Sequence, residues 1–315
     1  MARQLANDFL VKKYGAENVQ YLGGGSDSVA FRVGDRVFRF TGKSRNIYVT
    51  EAAICNFLRP YISVEIPDIK IHDAAGMFYA EHKMITGEKW SWHKFQFQPQ
   101  RQRNLANTCA EFLAQLHGVD TAAAIDAVGK LKNAIPYVSF DEVAPFMREI
   151  MGPRTLQFFR RHYEKIINQP VPARDMVIVH MGLKGANSVC WDDGRLRGVY
   201  DFGNAGIYER GRDLVLFSLS KNRRFYNTFL RRYQKLTGVN INRHRITDLA
   251  KIEFLWKKRW MANGKVVMVM GRRRLKRQVA SALLHFCGLP KFGLRPIVYC
   301  ALTLHERAQL RRNAE

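Results

Sequence analysis

Hydrophobic positions along the chain change period several times, and the changes predict its elements. Leu5, Phe9 and Leu10 recur at helical spacing, so residues 1–18 read as a short helix. Tyr21-Leu22 then runs into Gly23-Gly24-Gly25-Ser26-Asp27-Ser28, and Val29–Val33 alternates as a strand. Gly34-Asp35 makes a turn, and Val37–Phe40 returns as a second strand. Glu51 opens an amphipathic helix over Glu51–Leu58 that stops before Pro60. Ile69–Ile71 and Met77–Ile85 supply further strands. From Gln98 to His117 the period is helical, with Leu105, Cys109, Phe112, Leu113 and Leu116 on one side.

Thr121–Lys132 reads as a connector, and Phe140–Met151 and Pro153–Ile167 as helices. Val177–Val179 leads into His180 and a loop of small residues. Two apolar runs follow, Ser188–Trp191 and Leu196–Tyr200, split by Asp192-Asp193-Gly194, a strong hairpin signal. Beyond Asp213 the pattern predicts helices over Leu214–Leu219, Phe225–Leu236, Ile246–Met270, Arg272–Cys287 and Pro296–Arg312. The expected architecture is α+β and two-lobed. A small lobe, residues 1–87, has a mainly antiparallel sheet and one helix. A larger, mainly helical lobe, residues 88–315, carries the loop after His180 and a substrate cleft.

Composition narrows the class. The chain has 315 residues with a hydrophobic fraction of 47%, enough for a full core. No apolar run reaches the roughly 18 residues of a membrane span, and the N-terminus lacks a secretory pattern, so a cytoplasmic protein is expected. The five cysteines, Cys55, Cys109, Cys190, Cys287 and Cys300, are scattered without C-x-x-C spacing, which fits reduced thiols. Charge is the outlier, at a formal net of +24. Residues 221–315 hold 23 Lys and Arg against 4 Asp and Glu, including Lys257-Lys258-Arg259 and Arg272-Arg273-Arg274. That excess suits contact with a polyanion or plain solvated helix faces.

The chemistry gathers at the hairpin. Asn187 at its entry and Asp201 at its exit bring two hard oxygen donors together, the kind Mg²⁺ prefers when it also holds phosphates. His180, Asn187, Asp201-Phe202-Gly203 and Asp213 stand in the order and spacing of the aminoglycoside phosphotransferase and choline kinase family, and the stretch Met176–Leu214 resembles its core. That family reads H-x-D-x-x-x-x-N; here the position of its catalytic Asp is Gly182.

The resemblance implies ATP or GTP as phosphoryl donor and Mg²⁺ held by Asn187 and Asp201. It implies a phosphate cover from Gly23, Gly24, Gly25 and Ser26, a phosphate-binding cation at Arg39 oriented by Glu51, and a hinge at Met84 and Thr86 against the base. His180 and Gly182 occupy the catalytic-loop positions, and His117 matches the family's L-x-x-L-H helix end. With no side chain at 182, Asp175 is a remote substitute base, since the strand between them separates it from the loop.

An acceptor with a hydroxyl group follows from the resemblance. A polycationic acceptor is disfavoured by the basic C-terminal lobe, although Asp141, Glu142, Glu149 and Glu209 offer a local acidic pocket. Three readings stand: a small-molecule O-phosphotransferase impaired at Gly182, a silenced nucleotide-binding pseudokinase serving as scaffold or sensor, and an electrostatic binder of nucleic acid or an anionic surface.

Overall fold

A computed structural model describes residues 2–24, 28–41, 45–74, 76–91, 95, 97–129, 131–133, 139–142, 144, 153–218, 222–250 and 252. Gly25, Ser26, Glu149, Cys287, Cys300, the basic clusters at 257–259 and 272–274, and the helices expected beyond residue 252 lie outside them. Two compact units form, Met1–Ala134 with Pro172–Ile241, and Ile135–Val171 with Asn242–Glu315.

The first unit opens with helix α1, Ala2–Tyr14, and a five-stranded antiparallel sheet. Its strands are β1 (Val19–Gly24), β2 (Ser28–Val33), β3 (Arg36–Thr41), β4 (Lys70–Ala74) and β5 (Met77–Lys83), in the order β1-β2-β3-β5-β4. Register sorts the side chains. Phe40 faces Tyr79 and Phe38 faces Glu81, so these sit on one side of the sheet. There Phe31, Phe38, Phe40 and Tyr79 bury against Ala6 and Leu10 of α1. Arg39 faces Ala80, and Val37 faces His82, on the opposite side. One face thus makes the small core, and the other is left to α2 and the site.

Helix α2 spans Arg45–Leu58, six residues longer at its start than the sequence pattern indicates. Tyr48, Glu51, Ala52, Cys55 and Leu58 recur at steps of three and four and form its buried side. Glu51 therefore sits inside the helix, not at its first turn, and the macrodipole does not explain it. A glutamate on the apolar side of a helix needs a partner.

Helix α3, Pro99–His117, runs as expected and packs Leu105, Cys109, Phe112, Leu113 and Leu116 inward. The region expected as a connector contains helix α4, Thr121–Val128. Asp120 caps it by accepting the Ala122 N–H at 2.8 Å, and Gly129 at φ 72° stops it. After the two-residue β6 (Lys132–Asn133) come β7 (Met176–Val179), then the hairpin β8 (Ser188–Cys190) and β9 (Leu196–Val199). Strand β10, Gly206–Glu209, has no distinctive pattern in the sequence. It is buried at all four residues, antiparallel to β7 and parallel to β6.

The second unit contains helix α5, Pro153–Ile167. Arg245 donates to the Ile166 carbonyl at 2.7 Å and to Gln169 at 3.0 Å, and Phe140 meets Tyr163 edge-on. Asp141 pairs with Arg160, and Glu142 accepts from Ser139. Back in the first unit, helices α6 (Gly211–Ser218) and α7 (Arg223–Thr237) follow, and α7 lies along α3. Among the described residues no helix is long and apolar enough to cross a membrane.

Candidate active site

Arg39 projects from mid-β3 on the face turned towards α2. Its Nη1 donates to both carboxylate oxygens of Glu51 at 2.9 Å. Glu51 is 0% exposed, so the pair lies in a low-dielectric setting where charge-assisted bonds are strong. Burial opposes the Arg39 charge, but Glu51 outweighs it and holds the guanidinium well above its ordinary value. Burial likewise pushes the Glu51 carboxyl up, against the pull of Arg39. Because arginine does not deprotonate in proteins, the guanidinium keeps its charge against this carboxyl group.

The same carboxylate reaches further along the chain. Glu51 Oε1 accepts the backbone N–H of Phe202 at 3.1 Å. Asp201, just before it, takes the left-handed conformation at φ 71°, ψ 59°, and its Oδ1 lies 4.0 Å from Arg39 Nη2. Aspartate tolerates this region better than most residues, and such strain marks functional turns. Phe202 is buried, with its ring edge-on to His180 at 4.6 Å.

His180 is fully buried and serves the packing. Its Nε2–H donates to the Tyr200 carbonyl at 3.2 Å, and burial lowers its pKa, so the ring is neutral. The loop after it hangs on Asp213, whose two oxygens accept the N–H groups of His180 and Met181, each at 2.7 Å. That holds Met181 at φ 61°. A buried relay supports Asp213 in turn. His117 Nε2 meets Asp213 at 3.3 Å, Tyr233 donates to His117 Nδ1 at 2.7 Å, and Arg210 donates to Tyr233 at 3.0 Å. Arg210 also binds Asp175 at 2.8 Å, which takes that carboxylate as a structural partner and removes it as a substitute base.

Asn187 closes the other side. Its carbonyl accepts the Tyr200 N–H at 3.0 Å, which sets the open end of the β8–β9 hairpin between Asn187 and Asp201. Its Nδ2 donates to the Gly182 carbonyl at 3.1 Å, so the amide oxygen faces away from that bond. A carboxamide oxygen and a half-exposed carboxylate form a hard, incomplete donor set, which suits Mg²⁺ that takes its remaining ligands from phosphates and water. Gly182 has φ outside the left-handed region, and a Cβ there would lie 3.0 Å from Asn187 Nδ2.

Beyond β5, Met84 donates its N–H to the Asp35 carbonyl at 2.7 Å. The N–H groups of Ile85 and Thr86 have no partner among the described residues. Glu88 and Cys190 exchange both backbone bonds at 2.9 Å, fastening this segment to β8. Lys89 donates to the Ala186 carbonyl and to Tyr200, and Trp90 donates to Ser188. Gly185 is pressed so closely on the Trp90 carbonyl that a Cβ would come within 1.8 Å of it. No sequence signal marks Lys89, Trp90 or Ser188, because single polar residues beside a turn have no period. Gly23 and Gly24 end β1 at the irregular start of the β1–β2 hairpin.

This arrangement of sheet, buried Arg–Glu pair, supported loop and hairpin defines an α+β protein with a kinase-like fold. Residues 18–249 match the APH, or phosphotransferase enzyme, family, and the chain belongs to that family. Solved structures agree in fold. An ADP-bound aminoglycoside phosphotransferase APH(2'')-Ib is 19% identical, covering 88% of this chain and 96% of that one at a TM-score of 0.64. The GDP complex of aminoglycoside 2'-phosphotransferase-IIIa is 16% identical, covering 91% and 99% at 0.66. The macrolide 2'-phosphotransferase MphH from Brachybacterium faecium, an apoenzyme, is 19% identical, covering 89% and 97% at 0.61.

Proposed function

We propose that this protein transfers a phosphoryl group from a nucleotide to a hydroxyl of a small molecule, slowly for want of a side chain at 182. The observation that carries the reading is the assembled link Arg39–Glu51–Phe202, with Asp201 Oδ1 4.0 Å from Arg39 Nη2, which supports a phosphate-binding role for Arg39. In this reading residues 1–87 act as the nucleotide lobe and 88–315 supply the catalytic loop and acceptor cleft. Gly23, Gly24, Gly25 and Ser26 cover the phosphates through backbone N–H groups. Arg39 neutralises phosphate charge, and Met84 and Thr86 border the base. Asn187 and Asp201 would hold Mg²⁺, which supplies charge neutralisation at the phosphates when bound.

Gly182 leaves the acceptor hydroxyl without a positioned base, worth about 10²–10⁴ in rate. What remains is positioning and charge, which dominate phosphoryl transfer. The related structures include complexes with gentamicin and kanamycin. Here the net charge of +24 supports a neutral or anionic acceptor instead, and the basic residues of 221–315 support a polyanionic contact. A second reading, nucleotide binding in a silenced scaffold, is favoured by Gly182 alone.

Thermal unfolding with ADP or GDP, with and without Mg²⁺, tests the shared core. At a hundredfold excess over Kd the gain is about 2.7 kcal/mol. No shift with any nucleotide defeats both readings. A shift with no phosphoryl transfer to a panel of alcohols leaves only the scaffold.

A further inference from the structure

Structures related to this chain hold ADP in one case and GDP in another, so membership of the family does not choose the base. The backbone of the segment after β5 does not choose either. An adenine edge offers a 6-amino donor beside the N1 acceptor, and a guanine edge offers the O6 acceptor beside an N1–H donor. A run of peptide groups presents N–H and C=O alternately, so a base of either kind finds complementary partners by sliding one group along. Discrimination requires a side chain with a fixed hydrogen-bonding sense.

His82 is that kind of group. It stands on β5 opposite Val37, one pair along from Arg39 opposite Ala80, so it shares the sheet face that carries the phosphate-binding cation. The small Ala80 and Ala30 flank Arg39 on that face. His82 is only 7% exposed. Its Nδ1 lies 2.9 Å from the Lys83 carbonyl. A carbonyl only accepts, so Nδ1 carries the proton and the tautomer is fixed. Nε2 is left as an acceptor with no partner among the described residues. Burial, together with the nearby Arg39 charge, keeps the ring below its ordinary pKa and therefore neutral at pH 7. The Lys83 carbonyl beside it is a second acceptor, and the unengaged Ile85 N–H is the nearest donor along the chain.

We infer that His82 selects the nucleotide base, taking adenine through its 6-amino group and rejecting guanine, whose O6 would face the Nε2 lone pair. The inference rests on the nucleotide reading above and adds the base to it. An acceptor set against an acceptor leaves both desolvated without a bond, which is how sites built around hydrogen bonds reject close analogues. The expected preference is about 10- to 100-fold for ADP over GDP. The backbone acceptor and donor serve either base; the imidazole serves one.

Calorimetric titration of ADP and GDP with Mg²⁺ into the wild-type protein, at pH 7.5, measures the ratio of the two Kd values directly. His82→Gln presents a carboxamide that rotates to offer either a donor or an acceptor, so its ratio should fall towards one by a gain in GDP affinity. His82→Phe keeps a ring but no acceptor, and its ratio should fall by a loss in ADP affinity. A ratio taken within one preparation is independent of the fraction correctly folded. Equal or tighter binding of GDP by the wild type overturns the inference, as does a ratio unchanged in both variants. Binding of neither nucleotide by the wild type overturns the nucleotide reading itself, a result distinct from either of those.

Discussion

Glu51 and Phe202 lie 151 positions apart, and the carboxylate of one accepts the backbone N–H of the other at 3.1 Å. Glu51 already binds Arg39 through both oxygens. One buried carboxylate therefore ties strand β3, helix α2 and the turn at Asp201 into a single arrangement. The turn that carries Asp201 is set by a residue on the helix, so Arg39 and Asp201, the proposed phosphate and metal groups, are positioned together.

Glu51→Ala should be strongly destabilising, since it leaves the buried Arg39 charge without its partner. Breaking such a pair costs about 3–5 kcal/mol. Urea unfolding measures it. Glu51→Gln keeps an acceptor for the Phe202 N–H and should cost less, while still weakening nucleotide binding through a misdirected Arg39. Equal stability of wild type and Glu51→Ala would show that the pair contributes no net stability.

Acid should destabilise the fold from near neutral pH. Burial lowers the pKa of His82, His117 and His180. Each is neutral when folded and takes up a proton when unfolded, at an ordinary pKa of about 6.5. The unfolded state then binds more protons as pH falls below that value, so stability declines. Each histidine adds about 1.4 kcal/mol per pH unit until its folded pKa is reached. Asp213 titrates lower. Burial opposes its charge, but the bond from His117 and the neighbouring groups hold its carboxyl below the usual range. Its contribution is present above about pH 4 and is lost as pH falls through the folded pKa. Urea midpoints should hold between pH 8 and about 7 and then drop between about 6.5 and 5; a flat profile across that lower range would refute the neutral assignments.

Much of this site was legible in the sequence, and the reasons divide cleanly. The hairpin between Asn187 and Asp201 announces itself through Asp192-Asp193-Gly194, and β8 and β9 form where the apolar runs lie. Arg39 and Glu51 were legible as a pair only through resemblance, because the eleven residues between them carry no physical signal of contact. The start of α2 was hidden because Arg45 and Asn46 are polar, and the helix continues to Tyr48 on its buried side. Strand β10 was hidden because Gly206–Glu209 is short and buried throughout, so it shows no alternation. The relay from Arg210 through Tyr233 and His117 to Asp213 joins residues far apart in the chain, and only the packing of α3 against α7 assembles it.

Gly185 should not accept even a methyl group. An added Cβ would sit 1.8 Å from the Trp90 carbonyl oxygen, a backbone atom that is held in place by the Glu88–Cys190 bonds. Overpacking of this kind usually costs about 1–3 kcal/mol, and a backbone clash lies at or above the upper end. Gly185→Ala should therefore lower the urea midpoint sharply and disturb the Trp90–Ser188 contact, visible as a change in tryptophan emission. If Gly185→Ala is as stable as wild type, the segment after β5 does not dock on the loop as described.

Gly182→Asp is the most informative substitution, because the loop has room for it at small cost. Gly182 does not need the left-handed backbone, so an L side chain meets no φ penalty there. Its Cβ would lie 3.0 Å from Asn187 Nδ2, the end of a side chain that has to give by a few tenths of an ångström. The new carboxylate would stand beside Asn187 and across the hairpin mouth from Asp201, where an acceptor hydroxyl needs a base. Phosphoryl transfer should rise by about 10²–10⁴, the worth of a positioned base. Gly182→Asn, close in size but without basic character, separates this from packing: it should fold as well and gain nothing. Combining Gly182→Asp with Asp201→Ala should abolish the gain, since both act on the same transition state. A stable Gly182→Asp protein that binds nucleotide yet transfers no faster than wild type, across neutral and anionic alcohols, would mean that more than the base is missing from this site.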